Sequence, residues 1–154
     1  MINHLLPQRI DNTYRGNKLA LWIFALVVSV KIFQSLIVIF NGDFIARSAD
    51  GFPLETFTPA AAQTVVALFT LGALSLLIIF LLCGLVLLRY RSVITFMFAL
   101  LVLDYLARQL ILHFVPIVRT GSPPGPVVNF VLFSLMVVGL VLSLWRQGKL
   151  ETQD

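Results

Sequence analysis

Four long apolar runs, at about residues 19–40, 62–88, 92–114 and 126–145, constrain this chain more than any other feature. A membrane-crossing helix needs ~20 consecutive, mostly apolar residues at ~1.5 Å of rise each, and every run meets that length. Across the whole chain 59% of residues are apolar and 12% charged, against ~45–50% and ~25% in ordinary soluble domains. A soluble globule of 154 residues buries only ~70% of its unfolded surface, too little to hide so much apolar side chain. A disordered chain is poor in such residues. The expected fold is all-α: an integral membrane four-helix bundle, up-down-up-down, forming one domain over 19–146 between tails at 1–18 and 147–154. No internal repeat is visible.

The boundaries carry their own signals. Residues 1–17 read as a short solvated lead-in, with Asn17 as N-cap of span one. That span stops at Asn41-Gly42-Asp43, a helix-ending turn. It is too long for a signal-peptide core and no small-residue cleavage site follows, so it is expected to stay attached. Thr58-Pro59 reads as an N-cap followed by proline at the first helical position. The spacing places a tight turn at Arg89-Tyr90-Arg91, with Ser92 capping span three, and this short link predicts spans two and three as antiparallel neighbours. Pro116, Gly121 and Pro123-Pro124-Gly125-Pro126 predict a stiff, non-helical connection before span four.

Orientation follows from the basic residues near span ends. Arg9, Arg15, Lys18, Arg89, Arg91, Arg146 and Lys149 fall on one side, and only Arg47 and Arg119 on the other. Both termini are therefore expected in the cytoplasm. Trp22 and Trp145, near one interface, fit an aromatic belt.

Several chemistries are excluded by what the sequence lacks. Cys83 is the only cysteine and lies among aliphatic residues, so neither an intramolecular disulfide nor a thiol relay is available. The histidines are His4 and His113 alone, at opposite ends of the membrane, which rules out a paired-histidine haem. No phosphate-cradling glycine loop, His-Glu-x-x-His or Gly-x-Ser-x-Gly is present. The expectation is no catalytic residues, no metal, no cofactor and no nucleic-acid partner; the net charge of +4 follows membrane topology.

Three charges stand where hydrocarbon is expected: Lys31 in span one, with Asp104 and Arg108 in span three. A charge at mid-bilayer costs on the order of 2.5–3.5 kcal/mol by insertion scales. Counting along each span puts Lys31 roughly 2 Å past its midpoint, Asp104 almost on the midplane and Arg108 roughly 6 Å further out. Asp104 and Arg108 are four apart in the favourable acid-then-base order. Gln34 and Ser35 extend the polar stripe around Lys31, while Gln109 and His113 form a second polar flank on span three. Span three is accordingly expected to be the most enclosed helix, or to contact another subunit. Span two, apolar over Ser75–Leu88, is expected to face lipid in part. Gly72 with Ser75, and Gly139-x-x-x-Ser143, offer close helix approach.

The buried polar cluster supports two readings: a structural ion network fixing helix registry, or an ion, proton or anion site. Two bases against one acid leave a formal +1 if all are ionised. The sequence favours a non-enzymatic accessory or assembly subunit, partnered by the lipid bilayer and by a homo-oligomer or another membrane protein. The alternative is a small oligomeric transporter or channel using Lys31, Asp104 and Arg108. The expected location is a cell membrane crossed several times, such as a bacterial inner membrane.

Overall fold

The computed structural model describes residues 11–14 and 16–151, in side-chain detail as far as Trp145. Those residues form five helices and no strand: α1 (Lys18–Phe40), α2 (Gly42–Ser48), α3 (Pro59–Arg89), α4 (Ile94–Phe114) and α5 (Pro124–Glu151). Two 3₁₀ turns, Leu54–Thr56 and Arg91–Val93, lie between them. The first, third, fourth and fifth helices are long and apolar enough to cross a membrane, the fourth counted with its leading turn and the fifth as far as Trp145. Of the expected tails, residues 1–10, 15 and 152–154 lie outside the described residues.

Local chemistry sets most of the boundaries. The Asn17 side chain accepts from the Leu19 N–H at 3.0 Å, and the Thr58 hydroxyl accepts from the Ala61 N–H at 3.3 Å. Pro59 then opens α3, where no intrahelical donor is required of it. Four expectations need correction. Ser92 does not cap α4: its hydroxyl donates to the Asp11 carbonyl at 2.9 Å and accepts the Asp11 N–H at 3.1 Å, and α4 begins at Ile94 without a side-chain cap. Pro124-Gly125-Pro126 is not loop but the first turn of α5, because proline in a first turn forfeits no hydrogen bond. The helix also continues past Trp145 to Glu151. Finally, the loop after span one holds a short helix of its own, Gly42–Ser48.

The packing order differs from the chain order. α1 is central, with α3 on one side and α5 on the other, and α4 lies against α5. α3 and α4 touch little beyond their linking turn, which corrects the expectation that they are packed neighbours. A short link fixes where two helix ends sit; which faces meet is decided by side-chain shape. Phe98 of α4 is fully buried, edge-on to Phe24 of α1 with ring centroids 5.0 Å apart. It also fills the gap left by Gly139 of α5: a Cβ there would lie 2.6 Å from Phe98 Cε1. The Gly139-x-x-x-Ser143 spacing is thus the α4–α5 seam. Gly72 has nothing within 4 Å of a would-be Cβ, so the Gly72–Ser75 pair is not a contact point.

The core gathers Ala20, Phe24, Val27 and Val28 of α1, Phe80, Cys83 and Val86 of α3, Ile94, Met97, Phe98 and Leu101 of α4, and Leu132 and Met136 of α5. It is closed at the end holding the α3–α4 turn. There the Tyr14 hydroxyl donates to Ser143 Oγ at 3.2 Å, and the Thr95 and Ser143 hydroxyls are hydrogen-bonded. Burial pushes the Tyr14 phenol above its ordinary pKa, against the opposing pull of its hydrogen bond to Ser143. The expected solvated lead-in is, from Asp11 to Tyr14, tied into the bundle. At the opposite end the connections that follow α2 and α4 are clipped together: Thr120 N–H donates to the Gly51 carbonyl at 2.8 Å, and Gly125 N–H to the Ala49 carbonyl at 2.8 Å.

Candidate functional site

The polar residues singled out by sequence lie on the half of the bundle away from the α3–α4 turn. Lys31 projects from α1 toward α5, and its ammonium donates to Oδ1 of Asn129. Counted from the midpoints of their spans, Asn129 lies several ångströms further out than Lys31. The lysine stem therefore reaches outward, the usual behaviour of a long cationic side chain in an apolar setting. No ion pair joins Lys31 to Asp104 among the described residues. The charges acting on Lys31 are those of Arg108, Asp104 and Asp50. Ser35 is buried and Gln34 half-buried on the same helix, and neither makes a side-chain hydrogen bond within the described residues.

Asn129 was not among the sequence candidates. The signal was present: it is the one carboxamide in the run from Pro126 to Trp145. Asp50 was also missed as a member of this group. It sits in the connection after α2, half-buried beside the first turn of α5, where a Cβ on Gly125 would lie 2.9 Å from its Oδ1. Burial pushes its carboxyl above the ordinary value, while Arg119 and Lys31 pull the other way.

Asp104 and Arg108 do meet, as the i,i+4 spacing requires. Arg108 Nε donates to Asp104 Oδ2 at 2.8 Å. Their setting is the unexpected part. The Arg108 and Asp104 side chains are 50% and 43% exposed, and the buried residues of α4 stop at Leu101. Beyond the stack of Tyr105 on Phe133 of α5, with centroids 4.3 Å apart, most of α4 is uncovered. Leu103, Leu106, Leu110, Ile111 and Phe114 are each at least half exposed. Span three is therefore enclosed over its first half only. Asp104 is the midpoint of Ile94–Phe114, about 15 Å from either helix end, so the ion pair sits at the centre of an apolar helix and faces outward.

Gln109 and His113, the second polar flank, are exposed as well. With Leu112, Pro116, Ile117 and Arg119 they line a cavity of about 330 Å³ at the end of α4. The His113 ring packs edge-on to Phe114, centroids 5.6 Å apart. Between α1 and α3, Arg47 holds Asp43 at 3.0 Å and Glu55 at 3.3 Å; these groups are solvent-exposed and contribute little to stability.

Fold and site define an all-helical protein with four helices fit to cross a membrane and a charged pair on the outside of one of them. Compared with protein-family models, curated proteins and solved structures, the chain matches none.

Proposed function

We propose that this chain is a multi-pass membrane protein, both termini cytoplasmic, that acts as a non-enzymatic assembly subunit and docks through the outer half of α4. One observation carries this reading: the Asp104–Arg108 pair is half-exposed at the midpoint of a 21-residue apolar helix. Hydrocarbon offers no hydrogen-bond partner, so every polar group at that depth must be satisfied by protein or by enclosed water. Arg108 carries five N–H donors, and its Nε alone is engaged among the described residues. Left facing lipid, the remainder would be costly. Covered by another polypeptide, they become a recognition element, the role polar side chains commonly play between membrane helices.

The rival reading, an ion or anion pathway, draws support from Lys31, Asp104 and Arg108 standing near the middle of their spans. One experiment separates the two. A photo-crosslinking side chain at Leu103 or Ile111 is expected to join protein in native membranes, while the same group at Leu68 or Leu81 of α3 joins lipid. Vesicles holding the purified protein are expected to show no ion leak above empty vesicles. Lipid adducts at all four positions would overturn docking, and a leak abolished by Lys31→Met would favour the pathway.

A further inference from the structure

The uncovered face of α4 is self-complementary. Leu100, Asp104, Ala107, Ile111 and Phe114 follow one another at spacings of four, three, four and three, the interval that keeps side chains on a single seam between two helices. Leu100, Ile111 and Phe114 are 40%, 61% and 74% exposed, Ala107 is exposed, and Asp104 is half-buried. Among the described residues this stripe is left largely uncovered. Ala107, between the two charges, is small enough to let a second backbone approach.

The charges decide what fits. Two copies inserted in the same direction carry Asp104 at one depth and Arg108 about 6 Å further along. A two-fold axis along the membrane normal then gives each carboxylate two guanidinium neighbours, its own and its mate's. Within one chain the guanidinium uses Nε on Asp104 Oδ2, which leaves the two Nη groups directed away from that bond. A forked donor set matches a second carboxylate in bidentate fashion. The resulting ring alternates in sign and carries no net charge, so no counter-ion has to enter hydrocarbon. A foreign helix would need an acid and a base at these same depths; a second copy has them by construction.

We propose that this protein forms a parallel two-fold dimer through the outer half of α4, closed by reciprocal Asp104–Arg108 pairs. The proposal rests on the docking reading above and names its occupant. The experiment uses purified full chain in phospholipid vesicles, with pairing read as energy transfer between donor- and acceptor-labelled copies at varied protein-to-lipid ratio. Wild-type protein is expected to pair. Asp104→Arg and Arg108→Asp are each expected to lose pairing at least tenfold, because each places four like charges in the ring. Mixed one to one, these two variants are expected to pair with each other, which a misfolded chain would not do. The double exchange D104R/R108D, which preserves both ion pairs, is expected to pair with itself. Absence of wild-type energy transfer, or failure of the mixture to recover it, overturns the dimer. If the dimer fails while Leu103 and Ile111 still cross-link to protein in native membranes, docking stands with a different partner. If both fail, docking falls too.

Discussion

Replacing Gly139 with alanine adds one methyl group where α4 is seated closely on α5. That Cβ would lie 2.6 Å from Phe98 Cε1 and closer still to Cζ. Carbon atoms rest at ~3.5–4.0 Å, so the two helices must separate, or the ring must move, by roughly 1 Å. Phe98 cannot yield easily, being fully buried and held against Phe24. Overfilling such a site costs about 1–3 kcal/mol. Against this, alanine is favoured over glycine in a helix by about 1 kcal/mol. Gly72 supplies the reference, since a Cβ there meets nothing within 4 Å and Gly72→Ala carries the propensity gain alone. The difference between the two variants cancels that gain and reads the steric cost directly, about 1–3 kcal/mol. Reversible unfolding of the purified protein in mixed micelles measures it. A second variant, Phe98→Leu in the Gly139→Ala background, is expected to recover part of the loss. Equal stability of Gly139→Ala and Gly72→Ala would show that α4 is not seated on α5 through this gap.

Two further outcomes follow from the outer half of the bundle. Asn129→Leu strands the Lys31 ammonium and Lys31→Met strands an amide; since an unpaired charge costs more than the ~1–3 kcal/mol of an unpaired neutral group, the asparagine variant is expected to be the less stable, with recovery in the double. Equal losses without recovery in unfolding experiments would refute the pairing. For Asp50, burial raises the native carboxyl above its ordinary 3.8, so in that window the folded state holds more proton than the unfolded one. Stability is then expected to fall as pH rises from below 3.8 through the raised value. Asp50→Asn should remove this slope without loss of stability at neutral pH, and an unchanged slope in unfolding curves between pH 3 and 7 would count against it.

The number of long helices, their approximate places in the chain and the i,i+4 contact of Asp104 with Arg108 were legible from sequence alone. Each depends on interactions within ~4 residues or on a run of apolar side chains, and both are written linearly. The caps at Asn17 and Thr58 were read for the same reason. Ser92 misled because its serine hydroxyl found a partner 81 positions away, at Asp11, and no local rule anticipates a contact of that range.

Tertiary structure alone decided which helices touch. The apolar runs are greasy on all sides, and among helices in hydrocarbon no hydrophobic force sorts one face from another. Steric fit does the sorting, and Phe98 entering the space above Gly139 draws α4 toward α5 and away from the α3 to which it is chained. That choice leaves Asp104 and Arg108 half-exposed among the described residues, while the packing of α5 on α1 gives Lys31 an asparagine as its partner.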